Sequence, residues 1–289
     1  MVHSAPLQSH IETRALSPEI GTQFLDLDLR NELAPDVIEA IRNAYFESGL
    51  VLVRGQQGIS FDDQQRFASY LGVPTKRFVK NLIPGTDELP KTEMYIGSGN
   101  PEGYLKYGIL LPHSDYCFMD ELLLGICLFG EVVPENPEHG ATYWLNAQEA
   151  AKRLPADLRK KLEGKSVRHV FDIATVEEAF KKYDASNSAT SVTHVRPALL
   201  RHPVTGEEIL YVNELMTDRF EGLSREESDE LLDEVYAHLK DPALRYQHSW
   251  EPGDIIVWDN IKLQHGRTEV PEGVSRSLRR LMIDARIPA

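Results

Sequence analysis

The sequence predicts a mainly β fold, a β-sandwich or jelly roll with a jacket of helices. The C-terminal half contains short apolar runs typical of strands: ILYVN at 209–213, DIIVW at 254–258 and SLRRLMIDAR at 277–286. Segments with helical periodicity and capping residues stand outside these runs. We find no internal repeat and no long flexible linker, so we expect residues 1–289 to form a single domain.

The N-terminal elements are two helices with a strand between them. Residues 34–48 carry apolar residues at helical spacing, and Gly49 follows as a typical helix end. Residues 61–71 are predicted to form a second helix that Ser60 caps. The run VLVR at 51–54 reads as a buried strand.

Residues 74–107 are rich in Pro, Gly, Lys and Asn and lack a clear period. A long irregular segment within a compact domain is commonly functional or mobile. We interpret it as a lid over the active site. The alternative is a solvated connection.

Capping signals mark the helices of the later part of the chain. Asn146 precedes a short helical stretch, and Thr175 precedes another. Ser224 and Glu227 form a capping box at the start of a longer helix. Leu122–Phe129 resembles a strand.

The composition excludes several classes of function. The net charge of −14 argues against nucleic acid or an anionic membrane as the main partner, although a few arginines could still hold a small anionic substrate. No apolar run is long enough to span a membrane, and the N-terminus does not resemble a signal peptide. The two cysteines, Cys117 and Cys127, suit a reducing compartment, so we expect a cytoplasmic protein.

The sequence His113-Ser114-Asp115 is a candidate metal-binding element. In an extended chain, residues i and i+2 face the same side, so both side chains could reach one ion. A second histidine would complete the two-His-one-carboxylate triad of non-haem Fe(II) oxygenases. Among the ten histidines, His265 is the best candidate because it follows a predicted strand. Taken alone, an H-x-D pattern is a weak signal.

Five ordered segments strengthen this hypothesis. They are PHSD at 112–115, VVPENPEHGATYWLNAQEA at 132–150, RHPVTGEEILYVNE at 201–214, WEPGDIIVWDNIKLQH at 250–265 and RSLRRLMI at 276–283. With them the chain resembles the taurine/2,4-dichlorophenoxyacetate dioxygenase family of Fe(II)/2-oxoglutarate enzymes from about Gly21 to Arg286. The resemblance implies a double-stranded β-helix, a kind of jelly roll, with a long insertion between the two metal-binding segments.

The resemblance also implies residues for the co-substrate. Arg276 stands eleven residues after His265, where the family has the arginine that binds the distal carboxylate of 2-oxoglutarate. Thr142 is expected to assist it. Arg280 is expected near the other carboxylate of 2-oxoglutarate or an anionic group of the substrate. The family's Gly-Gly pair before the threonine reads His139-Gly140 here, a mild departure.

The implied activity is hydroxylation of an unactivated C–H bond, coupled to decarboxylation of 2-oxoglutarate to succinate and CO₂. Fe(II), 2-oxoglutarate and O₂ are the implied cofactors. Asp115 favours hydroxylation over halogenation, because related halogenases lack this carboxylate. Relatives are often dimers or tetramers, and many use small carboxylates or sulfonates. Two alternatives stay open: a cupin-like metal enzyme without 2-oxoglutarate, and a non-catalytic jelly-roll interaction protein.

The substrate is expected to be a small, carboxylate-bearing organic molecule, and so anionic, with an apolar body. Residues 108–112 are apolar where several relatives carry polar groups. Four tyrosines could line the pocket: Tyr95, Tyr104, Tyr107 and Tyr116.

Several other polar residues are expected to be structural. Arg279 should be a surface charge or an ion pair, because it faces away from Arg276 and Arg280 on an extended strand. The segment Trp258-Asp259-Asn260 should stabilise the strand and turn before His265 and is given no chemical role. The remaining structural candidates are His169, His194, His202 and His248.

Overall fold

The computed structural model describes residues 11–75, 94–172 and 191–284. In chain order its strands are β1 (Thr13–Ala15), β2 (Thr22–Phe24), β3 (Leu50–Val53), β4 (Val73–Thr75), β5 (Met94–Ile96), β6 (Leu110–His113), β7 (Leu123–Val132), β8 (Thr142–Asn146), β9 (Ser166–Asp172), β10 (Ser191–Pro197), β11 (Leu199–Arg201), β12 (Glu208–Leu210), β13 (Thr217–Phe220), β14 (Arg245–His248), β15 (Ile255–Asp259), β16 (Leu263–Arg267) and β17 (Ser277–Asp284). The α-helices are α1 (Pro35–Ser48), α2 (Phe61–Ser69), α3 (Ala147–Lys152), α4 (Ala156–Leu162) and α5 (Arg225–Leu239).

The larger sheet has eight strands. Its order is β1-β2-β3-β15-β7-β17-β4, and β5 also pairs with β17. All of these pairings are antiparallel except that of β2 with β3. The central strand β15 is buried along its whole length, as expected for an apolar run covered on both faces.

The smaller sheet has four strands in the order β14-β8-β16-β6. It packs against the larger sheet: the ring of Trp144 in β8 meets the ring of Trp258 in β15 edge to face, with centroids 5.5 Å apart. Two largely antiparallel sheets packed in this way form the core of a jelly roll, so the predicted fold class is confirmed.

Helices cover the outside of the larger sheet. Helix α1 ends where Gly49 adopts φ 76, a left-handed conformation that glycine tolerates, and its N–H binds the carbonyl of Tyr45. Helix α2 begins with a capping box between Ser60 and Asp63. Both predicted helices are confirmed, although α2 ends two residues earlier than expected.

The strands outside the two main sheets lie in the segment between β8 and β14. It contains the three-stranded sheet β10-β9-β13, the hairpin β11-β12 and helix α5, which starts with the predicted Ser224–Glu227 capping box. This segment lies between the metal-binding candidates along the chain, as expected for the insertion.

Two predictions about strands need correction. The predicted strand at 209–213 ends at Leu210, because Asn213 forms a turn in which its side chain accepts the N–H of Met216. The segment 74–107 is not wholly irregular, since Met94–Ile96 pairs with β17. Residues 76–93 of the predicted lid, and the predicted helix at Thr175, lie outside the described residues.

Across the described residues, no helix combines the length and apolar character that a membrane span requires.

Candidate active site

Two histidines lie side by side on neighbouring strands of the smaller sheet. His113 is the last residue of β6, and its register partner in β16 is His265. Directly opposite residues of an antiparallel pair share one face of the sheet. The two rings are therefore neighbours, with centroids 4.2 Å apart.

Asp115 joins this pair from a turn rather than from a strand. The expectation that residues 113–115 form one extended run is wrong, because β6 ends at His113 and Tyr116 adopts φ 61. The carboxylate nevertheless faces both rings. Its Oδ1 lies 3.3 Å from Nε2 of His113, and its Oδ2 lies 4.0 Å from Nε2 of His265.

Burial and neighbouring charges keep His265 and Asp115 in the forms that bind a metal ion. The Nδ1 of His113 donates to the carbonyl of Leu111 at 2.8 Å, which orients the ring with its Nε2 facing Asp115. Burial, together with the neighbouring His113, lowers the pKa of His265 and keeps that ring neutral. Burial alone would raise the pKa of Asp115, but Arg280 and the two histidines hold it well below its usual range.

The spacing of these groups fits one metal ion. One ligand atom from each of His113, Asp115 and His265 lies within 4.8 Å of the other two. Metal bonds to imidazole and carboxylate are about 2.0–2.2 Å long, so only small side-chain movements would bring all three atoms onto one ion. This donor set suits Fe(II) and leaves coordination positions open for other ligands.

Arg276 lies immediately before β17 and is 2 % exposed. Its Nε donates to the carbonyl of Gly140 at 3.1 Å, and its Nη2 lies 3.5 Å from Oγ1 of Thr142. Within the described residues its Nη1 is buried without a hydrogen-bond partner. Burial, and secondarily the charge of Arg267, lowers the pKa of Arg276. A buried guanidinium in this setting is suited to an anionic ligand.

Gly140 explains why the altered glycine pair is tolerated. It adopts φ 66, and a Cβ at this position would lie 2.7 Å from Cδ of Arg276. Glycine is therefore required at 140 so that the arginine can pass. His139 instead lies in a loop, where its ring contacts Asn136 at 3.2 Å.

Strand β17 contains two consecutive arginines, Arg279 and Arg280, whose side chains face opposite sides of the sheet. Arg280 donates to Oδ2 of Asp115, and its Nη1 lies 3.1 Å from Sδ of Met94. Arg279 forms the predicted ion pair, with Glu131 at 3.3 Å. It is not a surface charge, however, because it is 6 % exposed and also donates to Gln64.

Two histidines outside the triad form buried pairs with carboxylates. The Nε2 of His202 lies 2.9 Å from Asp259, and that of His248 lies 2.8 Å from Asp254. Within the described part of the chain, His113, Asp115 and His265 form the only group of three or more His, Cys, Asp or Glu side chains close enough to share a metal ion. The structural interpretation of His202 and His248 agrees with these contacts.

Two polar contacts at this site are not predicted from the sequence. Asn260 is expected only to stabilise the strand and turn before His265, but its side chain binds the backbone of Asp115. Trp250 donates to Thr142 at 2.9 Å. Each contact joins residues more than a hundred positions apart, so local spacing carries no signal of it.

Comparison with known proteins identifies the family to which the chain is similar. The family model described as "Taurine catabolism dioxygenase TauD, TfdA family" matches residues 12–282. Pentalenolactone F synthase of Streptomyces avermitilis is 27% identical over 293 residues, covering 93% of this chain and 92% of that protein. An alkylsulfatase of Acinetobacter baylyi is 26% identical, covering 88% of this chain and 79% of that protein.

A solved structure shows the same fold. The crystal structure of a taurine dioxygenase from Burkholderia xenovorans superposes with a TM-score of 0.74 at 23% identity. The match covers 95% of this chain and 89% of that chain. The likeness supports the jelly-roll core over nearly the whole length of the chain.

Proposed function

The chain belongs to the taurine catabolism dioxygenase family, TauD and TfdA, and on that premise we propose that it hydroxylates a C–H bond of a small anionic organic molecule. It is a non-haem iron enzyme that uses 2-oxoglutarate and O₂. Family membership excludes the cupin-like and non-catalytic alternatives. In the proposed reaction, substrate, 2-oxoglutarate and O₂ become hydroxylated substrate, succinate and CO₂.

His113, Asp115 and His265 are the proposed iron ligands. Their mutual distances, and the lowered pKa values of Asp115 and His265, support this assignment. When bound, Fe(II) supplies the redox chemistry that activates O₂ and couples it to decarboxylation of 2-oxoglutarate. The chain contributes fixed ligands and a buried setting that keeps the reacting groups in place.

Arg276 and Thr142 are the proposed partners of the distal carboxylate of 2-oxoglutarate. A guanidinium can bind a carboxylate through two parallel hydrogen bonds. The Nη1 of Arg276 has no hydrogen-bond partner among the residues that the structure describes. This supports the role, because a buried donor without an acceptor is costly unless a ligand satisfies it.

Arg280 is the proposed partner of an anionic group of the substrate or of the second carboxylate of 2-oxoglutarate. Its contact with Asp115 puts it beside the proposed iron ligands. The apolar run of residues 108–112 leads directly into His113 and supports an apolar body for the substrate. The similarity to an alkylsulfatase is compatible with a substrate that combines an anionic group with an alkyl chain.

The wider setting is also proposed. We propose a single catalytic domain, with residues 74–107 as its lid, that works in the cytoplasm as a dimer or tetramer. The two described cysteines are free and buried, in keeping with a reducing compartment.

The convergence of His113, Asp115 and His265, from two strands and a turn, is the observation that carries the proposal. It is tested by adding Fe(II) and 2-oxoglutarate to the metal-free protein without oxygen. A weak visible charge-transfer band is expected, and small sulfate esters, sulfonates and carboxylates are then screened for substrate-dependent succinate formation. An iron-loaded, folded protein with no such band and no succinate from any substrate would overturn the proposal.

A further inference from the structure

We propose that Trp250 is a positioning residue for 2-oxoglutarate, acting through Thr142. By occupying one acceptor site of the Thr142 hydroxyl, Trp250 directs the hydroxyl proton toward the distal carboxylate. The inference rests on the proposed function, because it assumes that this carboxylate lies between Thr142 and Arg276.

The contacts at Thr142 carry the argument. Thr142 is 3 % exposed, and its Oγ1 accepts the indole N–H of Trp250 at 2.9 Å. Nη2 of Arg276 approaches the same oxygen at 3.5 Å, at the long limit of a hydrogen bond. Both neighbours are donors without acceptor capacity.

A threonine hydroxyl has one proton and two acceptor lone pairs. With N–H groups on its acceptor side, Oγ1 can direct its own proton to neither Trp250 nor Arg276. The proton therefore points to a third position, which needs an acceptor. A carboxylate oxygen bound by Arg276 would be a suitable acceptor. Nη1 of Arg276 is a second donor without a partner among the described residues, and a carboxylate would satisfy both donors.

The indole is held in this orientation by its surroundings. The ring of Trp250 meets the ring of His248 edge to face, with centroids 5.1 Å apart and an interplanar angle of 89°. Nε2 of His248 is bound to Asp254 at 2.8 Å, and the same carboxylate oxygen accepts the N–H of Glu251. These contacts fix the ring of Trp250 and the backbone that follows it before any ligand binds. The Thr142 hydroxyl is therefore preorganised.

A double-mutant cycle tests this role. Dissociation constants of 2-oxoglutarate are measured with Fe(II), without oxygen, for the wild type, Trp250→Phe, Thr142→Val and the double variant. Trp250→Phe is expected to weaken 2-oxoglutarate about ten-fold. In the Thr142→Val background, the same change should have less than about a two-fold effect, because the hydroxyl it directs is gone.

A second ligand separates positioning from general damage. In 2-oxopentanoate a methyl group replaces the distal carboxylate, so Trp250→Phe should change its affinity less than about two-fold. If Trp250→Phe does not fold, replacing Trp250 with 3-benzothienylalanine removes the N–H while keeping the ring shape. Iron content is measured for every variant.

The outcomes distinguish the two proposals. A wild type that does not bind 2-oxoglutarate overturns the proposed function and this inference with it. A wild type that binds 2-oxoglutarate while the two substitutions are additive, or while Trp250→Phe weakens 2-oxopentanoate equally, overturns only the role of Trp250.

Discussion

The side-chain amide of Asn260 forms two hydrogen bonds with the backbone of Asp115, from which it is 145 residues distant in sequence. Its Oδ1 accepts the Asp115 N–H at 2.9 Å, and its Nδ2 donates to the Asp115 carbonyl at 2.9 Å. The same Nδ2 donates to Leu123 at 3.1 Å. Because Asp115 lies in a turn, this amide takes over the orienting role that a strand would otherwise provide.

Asn260→Ala is therefore expected to weaken iron binding about 10–100-fold, the usual range for residues that orient a metal ligand. Asn260→Asp should also weaken it, since a carboxylate cannot donate to the Asp115 carbonyl. Affinity is measured by Fe(II) titration without oxygen. Asn31→Ala, the same change at an exposed position, is the control. Equal iron affinity in Asn260→Ala and the control would show that Asn260 does not orient Asp115.

Metal binding and co-substrate binding should be separable. His113→Ala is expected to lose iron, because two ligands remain of three. Arg276→Ala is expected to keep iron but to bind 2-oxoglutarate at least about ten-fold more weakly, since it loses charge-assisted hydrogen bonds. The measurements are iron content and anaerobic titration with 2-oxoglutarate.

Arg201→Ala is the matched control for Arg276→Ala, since Arg201 is exposed and donates to a backbone carbonyl. It should leave both quantities unchanged. Unaltered 2-oxoglutarate affinity in Arg276→Ala would show that the carboxylate binds elsewhere.

His169 should make the protein less stable in mild acid. Burial, and then the charge of Arg196, lowers the pKa of His169 to about 3. In the unfolded chain the pKa of a histidine is about 6.5. Above that pH, His169 is neutral in both the folded and the unfolded protein, so the full stability is present. As the pH falls, the unfolded chain binds a proton that the folded protein does not, so stability decreases, by on the order of 2 kcal/mol at about pH 5.

His169→Gln removes this titration while retaining an acceptor for Thr217, whose Oγ1 lies 3.2 Å from Nδ1 of His169. Urea unfolding at several pH values compares the two proteins. The loss of stability between about pH 6.5 and pH 5 should be smaller in the variant. Parallel curves would contradict the lowered pKa.

Whether a residue of the site could be predicted depends on how far along the chain its partner lies. Arg276 follows His265 by eleven residues, the offset that the family has, so the resemblance identifies it from the sequence. Asn260 and Trp250 act on residues that reach them through the packing of the sheets. A single sequence has no pattern that pairs such positions.

The same distinction applies to the elements. Helices α1, α2 and α5 carry their own periodicity and caps, which are local properties. Strand β5 has three residues, and its pairing with β17 defines it. The run at 209–213 has strand composition, but Asn213 turns the chain through contacts with Met216 and Thr217. Pairing with a strand distant in sequence decides the first case, and a local turn decides the second.

Arg267 lies two residues after His265 and fastens the segment before β6. It is 2 % exposed and donates to the carbonyls of Leu105 at 2.6 Å, Tyr107 at 2.8 Å and Gly108 at 2.9 Å. Burial lowers its pKa to about 10, so it stays charged at neutral pH. Arg267→Met would leave three carbonyls without this donor and is expected to destabilise the protein by about 1–3 kcal/mol.

The contacts with Leu105, Tyr107 and Gly108 also predict where the effect appears. Amide hydrogen exchange should accelerate first within residues 105–108, because Arg267 holds that segment to β16. Arg245→Met is the control: Arg245 is exposed, lies 4.3 Å over the ring of Tyr143, and should cost less than about 0.5 kcal/mol. If Arg267→Met accelerated exchange uniformly across the chain, Arg267 would stabilise the fold as a whole rather than this segment.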